Sequence, residues 1–296
     1  MYVDSLTTAA VVAELNQQIV GGRMQGIVQV DSLSFGLEVY ANRQRHYLLL
    51  MADPQSARVQ LVSDKMRRGV EKPSPMGLLL RKYVEGARLT AVRQPPWERV
   101  IEMDFSGQEG DTRLIAETMD RRSNLILTVD GDILECVKRV GPQENRYRVM
   151  LPGKPYVSPP PQRKHAPDAL TAGLIANYFQ NDLDSPAWRV LVDNIAGVSP
   201  LLAREVIFRS CDEAEAPAYD LSPQLVYHEF QNLIALVGSG DWSPCVVPAA
   251  DGSGYLAFAA YPLAHLGACT PVESISQAME TYFGAPVGAD AYAASK

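Results

Sequence analysis

Six prolines fall between positions 152 and 167, at Pro152, Pro155, Pro159, Pro160, Pro161 and Pro167. Each locks φ and removes a backbone donor, so neither a helix nor a strand ladder can run through residues 151–167. A chain of 296 residues is long enough for two or three compact units, and the boundary between them is placed here. The two sides differ in charge. Residues 1–165 hold 23 Lys and Arg against 19 Asp and Glu, whereas residues 166–296 hold 4 against 15. The net charge of −7 thus hides a mildly basic first half and a strongly acidic second half. That asymmetry points either to modules with different partners or only to solubility.

Upstream of the prolines, residues 4–20 predict a helix. Leu6, Ala10, Val11, Leu15 and Ile19 recur at helical spacing, Asp4 or Ser5 can cap it, and Gly21-Gly22 stops it. The period then changes to that of strands at 27–30, 34–40, 46–50 and 59–62, with Asp31-Ser32 and Asn42 as turn residues. A helix over 75–86 is followed by strands over 87–94, 98–105, 113–118, 124–129 and 133–139, with a two-residue hairpin at Asp130-Gly131. Residues 1–150 therefore predict an α+β domain, an antiparallel meander with flanking helices. After the linker at 151–167, a module over 168–285 carries helical segments near 168–180, 186–195, 200–210 and 221–239. A short hairpin and a helix near 271–283 follow, and 286–296 is a Gly- and Ala-rich tail.

Little in the chain resembles an enzyme. Its four histidines, His46, His165, His228 and His265, lie in no catalytic pattern, and neither a nucleophile elbow nor a phosphate-binding loop is present. Glu102 and Asp104 share a strand face and could pair as acid and base, but a solvated face is the plainer reading. No cofactor or metal is expected. Cys136, Cys211, Cys245 and Cys269 form no C-x-x-C pair and read as buried free thiols. No apolar run reaches the length of a membrane span, and Met1-Tyr2-Val3-Asp4 does not open a signal peptide, so the expected compartment is the cytosol.

Two places could meet RNA. Glu98-Arg99 sits at a strand edge, where a guanidinium can fork onto a phosphate or stack on a base, or where the two residues form only a surface ion pair. Gly197-Val198-Ser199, followed by Pro200, opens a helix whose free N–H groups suit a phosphate, or it is a structural turn. Basic residues gather at Lys65-Met66-Arg67-Arg68, Arg121-Arg122 and Arg163-Lys164-His165.

Four stretches resemble the NFACT-N family of ribosome quality-control factors, which includes bacterial fibronectin-binding protein A-like proteins. They are Leu79–Leu89 with Gln94 and Trp97-Glu98-Arg99-Val100-Ile101; Glu117-Thr118-Met119-Asp120-Arg121-Arg122-Ser123-Asn124 with the apolar residues after it; residues 152–164; and residues 195–205. Three positions depart from the family's pattern: Glu98 replaces the usual Asp, Asp120 the usual Gly, and Arg122 the usual His. The resemblance implies a glycosylase N-terminal-domain-like α+β fold followed by a helix-hairpin-helix, without glycosylase chemistry, since Tyr2 stands where those enzymes use proline. It also implies tRNA contacts at Asp4, Glu98, Arg99, Arg121, Arg122, Ser123 and Asn124, and a phosphate-binding hairpin at Gly197, Val198 and Ser199. The implied partners are tRNA and the large ribosomal subunit carrying peptidyl-tRNA, with a role in C-terminal tailing of nascent chains and no catalysis by this region. Family members continue into a long coiled coil, so the chain is expected to be truncated before it. The alternative is a bacterial surface adhesin that binds fibronectin or fibrinogen.

Overall fold

The computed structural model describes residues 3–284. The first half is α+β. Helix α1 (Ser5–Gln18) leads into β1 (Arg23–Gln29), β2 (Ser34–Ala41), β3 (Gln44–Met51) and β4 (Arg58–Val62). Helix α2 (Pro75–Tyr83) then precedes β5 (Arg88–Arg93), β6 (Val100–Gly107), β7 (Gly110–Glu117), β8 (Asn124–Val129) and β9 (Asp132–Cys136). All nine strands form one antiparallel sheet in the order β4-β3-β2-β1-β5-β6-β7-β8-β9. The predicted turn residues act as two-residue hairpins demand. Asn42 and Arg43 have φ of 51° and 63°, and Asp130 and Gly131 have 51° and 87°. Several bounds shift: the strand expected over 27–30 already starts at Arg23, and the one expected over 133–139 ends at Cys136. The strand expected from 98 begins at Val100, because Pro95-Pro96 withhold ladder donors and a turn over Gln94–Arg99 takes their place.

The row of strands is rolled. Lys138, just past β9, donates from Nζ to Ala52 O, just past β3, at 2.7 Å, and α2 packs against both β1 and β9. The free edge at β4 is covered by the last described helix, α8 (Ile275–Phe283). Leu61 N donates to Ser276 Oγ at 2.9 Å and Ser63 N to Glu280 Oε1 at 3.1 Å. Glu14 on α1 accepts from Ser276 N at 3.1 Å, and burial raises its carboxyl pKa.

The second half carries α3 (Ala172–Asn181), α4 (Ala187–Asn194), α5 (Pro200–Cys211), α6 (Pro223–Ile234) and the single turn α7 (Leu236–Ser239). Strands β10 (Cys245–Pro248), β11 (Tyr255–Ala259) and β12 (Thr270–Pro271) form a small sheet ordered β11-β10-β12. The helix expected from 271 starts instead at Ile275, capped by Ser274, because residues 270–271 pair with β10. One apolar cluster spans both halves, from Leu6 and Phe105 to Leu191, Phe230 and Met279.

The thiol expectation is corrected. Cys245 and Cys269 are joined as a disulfide, with Cα atoms 6.0 Å apart, because the pairing of Cys245 with Pro271 brings Cys269 alongside. Cys211 is exposed. Only Cys136 is a buried free thiol, pushed up to about 11 by burial and by the nearby carboxylate of Glu135.

The proline-rich stretch is stapled along its length. Ile133 N donates to Lys154 O and Tyr156 N to Gly131 O, each at 2.8 Å, while His165 N donates to Asn194 O at 2.9 Å. Its anchor is Glu117 at the end of β7, whose side chain is 1% exposed. This carboxylate pairs with the Arg148 guanidinium and accepts from the Tyr156 hydroxyl at 2.8 Å, and Arg148 Nε donates to Val157 O at 2.7 Å. Removing one partner of a buried pair strands the other charge, at a cost of about 3–5 kcal/mol. Glu117→Ala should therefore lower the unfolding free energy in urea by about 3 kcal/mol. A loss below about 1 kcal/mol would mean that the staple does not rest on this pair.

Glu205 on α5 is wholly buried. It accepts from Arg209 Nε and His265 Nδ1, each at 2.6 Å, and from the backbone N–H groups of Ala264 and His265, each at 3.1 Å. Burial alone would raise its carboxyl pKa, but the bonds from His265 and Arg209 outweigh this and hold it below the usual carboxylate range. The unfolded chain then takes up this proton first as pH falls. The contribution is complete above the ordinary Glu value of about 4.3 and is lost as pH drops below it. Glu205→Gln should reduce the difference between unfolding free energies at about pH 7 and about pH 3.5; an unchanged difference would exclude Glu205 as a source of acid lability.

Candidate nucleic-acid interface

The N-terminus of α1 and the N-terminus of α5 meet. Asp4 caps α1, its Oδ1 accepting from Thr7 N at 2.7 Å, while its Oδ2 accepts from the Ser199 hydroxyl at 2.8 Å. Ser199 caps α5 in turn, accepting from Leu202 N at 3.1 Å. The hydroxyl of Ser5 donates to Gly197 O at 2.7 Å. Gln94 Nε2 donates to Ser5 O at 2.9 Å and to Glu98 O at 2.8 Å, which sets the 94–99 turn against the same point. Trp97, at φ 60°, holds that turn from the other side through an indole N–H bond to Asp168.

A cleft of about 230 Å³ results, lined by Asp4, Glu98, Arg99, Asp120 and the Gly197-Val198-Ser199 hairpin, among others. Residues nearly 200 positions apart thus share one wall. Arg99 Nη1 lies 3.6 Å from Asp120 Oδ1, a loose pair with both side chains partly exposed. Burial pushes the Glu98 carboxyl up, and the neighbouring Arg99 draws it back. Helix α5 directs the positive end of its dipole at this cleft, where Asp4 already meets it, and among the described residues Arg99 is the one cation in a lining that holds the carboxylates of Asp4, Glu98 and Asp120. Asp4 itself is 4% exposed and has both oxygens engaged within the wall of the cleft.

A second cleft, of about 530 Å³, lies across the short 3-10 turn Asp120–Arg122. Met119 lines both clefts, Asp120 the first, and Arg121 and Arg122 the second. Asp120 has φ 52°, a left-handed conformation that glycine adopts freely and aspartate tolerates. Arg121 and Arg122 are exposed, whereas Ser123 and Asn124 are buried. Asn124 is fully engaged, with Nδ2 donating to Lys138 O at 2.8 Å and Oδ1 accepting from Lys138 N at 2.9 Å. It extends the β8–β9 pairing by one side chain.

The other basic clusters lie elsewhere. Lys65 pairs with Glu38 at 2.7 Å on the outer face of β2, and Met66 is buried there. Lys164 Nζ donates to Val192 O at 2.7 Å, and His165 Nδ1 is bonded to the Tyr178 hydroxyl at 2.7 Å. Trp97 and Gln162 line the first cleft; both lie in the stretches that carry the resemblance, but no contact was expected of either. The place of Trp97 directly before Glu98-Arg99 is the signal that could have found it. Among the described residues no three His, Cys, Asp or Glu side chains cluster as metal ligands would, and no helix is long and apolar enough to cross a membrane.

Gly197 has φ +72°, and a Cβ there would lie 2.7 Å from both Ser5 Oγ and Trp97 O. Gly252 has the same φ with open space around it. Gly197→Ala should cost about 2–4 kcal/mol of stability, the sum of backbone strain and overpacking, and Gly252→Ala about 1 kcal/mol. Equal losses in thermal or urea unfolding would show that the hairpin is not closely packed on α1.

Comparisons place these features in a family. A Bacillus subtilis protein named Rqc2 homolog RqcH is 31% identical over 220 residues, covering 71% of this chain and 38% of that protein. A protein of the same name from Streptococcus pneumoniae serotype 2 is 36% identical over 167 residues, 54% of this chain and 30% of that one. The chain therefore spans between 30% and 38% of these relatives' length. Two solved structures match nearly throughout. One is the N-terminal part of the fibronectin/fibrinogen-binding protein of Streptococcus suis, with TM-score 0.76, 26% identity, and coverage of 95% of this chain and 98% of that one. The other is the fibrinogen binding protein of Staphylococcus aureus, with TM-score 0.78, 25% identity, and coverage of 96% and 100%. The family model for NFACT N-terminal and middle domains matches residues 4–294, and the chain belongs to that family.

Proposed function

We propose that this chain is the tRNA- and ribosome-contacting N-terminal region of a cytoplasmic ribosome quality-control factor. In this reading the whole protein binds stalled large subunits that carry peptidyl-tRNA and helps bring in tRNA for C-terminal tailing of the nascent chain. Transfer chemistry belongs to the ribosome, and this region needs no cofactor. The observation that carries the reading is the cleft in which Glu98 and Arg99 face the α5 hairpin, built from segments that the fold holds together for no evident catalytic purpose. An arginine can take a phosphate or a base edge of an unpaired loop, and a carboxylate can accept from an exocyclic amine. Arg121 and Arg122 supply further exposed cations next door, while Asp4, Ser123 and Asn124 hold the walls. The relatives named as Rqc2 homologs support the assignment.

A second reading is supported by the two similar structures that are named for binding fibronectin or fibrinogen. One experiment separates the two. Binding of fluorescent bulk tRNA and of fibronectin is measured side by side for the wild type and Arg99→Ala. The expected result is salt-sensitive tRNA binding that weakens by about tenfold or more with the substitution, the loss of one charge-assisted contact. Retention of fibronectin without tRNA would replace the first reading by the second.

A further inference from the structure

The second cleft contains a residue that neither the fold nor the charge pattern requires. Tyr147 is 63% exposed, the most exposed large hydrophobic side chain among the described residues. It stands on an ordered loop. Val140 and Met150 exchange backbone bonds of 3.1 and 2.9 Å across the loop's base. Asn145 Oδ1 accepts from Tyr147 N and Arg148 N, each at 3.0 Å. The next residue, Arg148, is fixed by Glu117 and by Val157 O. The ring is thus presented to solvent from a backbone anchored on both sides. Pro159 and Pro160 also line the cleft, as do the exposed Arg121 and Arg122. Ser123 lines it too, and its buried hydroxyl has no partner among the described residues. A flat aromatic face, proline rings and two exposed guanidinium groups suit a ligand that is planar and apolar at one end and anionic at the other.

We propose that this cleft receives one unpaired nucleotide of an RNA loop, with its base stacked on Tyr147 and its phosphate held by Arg121 and Arg122. The proposal rests on the tRNA reading above and adds a second contact point to it, since Met119 lines both clefts and an RNA strand leaving the first meets the second. Base–aromatic stacking tolerates any base, so this contact contributes affinity without choosing the tRNA. The guanidinium groups contribute the salt-dependent part.

The test measures binding of fluorescent bulk tRNA across a salt series for the wild type, Tyr147→Ala, Tyr147→Phe, the double variant Arg121→Ala/Arg122→Ala, and Arg99→Ala, with circular dichroism to confirm folding. Tyr147→Ala should weaken binding by about fivefold or more with an unchanged salt slope. Tyr147→Phe should bind as the wild type does, because the ring and not the hydroxyl makes the contact. The arginine double variant should weaken binding and also flatten the salt slope. If Tyr147→Ala binds like the wild type while Arg99→Ala is weakened, the first cleft holds RNA and the second does not, and this proposal falls alone. Equal loss in Tyr147→Phe and Tyr147→Ala would overturn stacking. Absence of tRNA binding by the wild type would overturn this proposal together with the reading it rests on.

Discussion

One carboxylate ties together the N-termini of two helices that begin 195 residues apart. Asp4 takes the first turn of α1 with one oxygen and the capping hydroxyl of α5 with the other. Two positive helix ends are brought to one buried negative charge, an arrangement that favours both dipoles. The wholly buried Tyr261 lies in the same region, where burial, and then the charges of Asp4 and Glu205, drive its phenol pKa well above the ordinary value. The joint between the two halves of the chain is therefore electrostatic at its centre and apolar around it. The 94–99 turn is hung on this joint through Gln94 and Ser5, so the orientation of Glu98 and Arg99 depends on it.

The charged groups divide between building and presenting. Glu117, Glu205, Asp4 and Arg148 have their polar atoms engaged inside the protein. Such groups are costly to disturb because each would leave a partner unpaired away from water. Arg121 and Arg122 are exposed, and Arg99 is held only loosely by Asp120. These three arginines line the two clefts that share Met119. The surplus of acids in residues 166–296 leaves the first half as the side that attracts an anion.

The strands were legible because alternation and turn chemistry act over a few residues. Asp130-Gly131 states its own turn, and Leu125, Ile126 and Leu127 state a strand buried on both faces. The start of α5 was legible in the same local way, through Ser199 and Pro200. What could not be read were meetings between distant residues. Glu117 finds Arg148 and Tyr156 at separations of 31 and 39, and Cys245 finds Cys269 only because β12 folds back on β10. Asp4 was readable as a cap, but its second bond was not, since nothing near it in sequence names Ser199. Nor did the sequence name the bonds of Asn124. It belongs to a family motif, and the structure gives its amide a plain backbone task.

The last described helix has a further consequence. A rolled row of nine strands still ends in open donors at β4, and α8 meets them with Ser276 and Glu280, more than 200 residues downstream. An uncovered strand edge is a template for pairing with another chain. The prolines at 152–167 look like the natural place to divide the polypeptide, but a piece ending there would display that edge and half of an apolar cluster. The first half is therefore guarded by the second only once synthesis has passed Phe283, and it is before that point that a newly made chain is most exposed to self-association.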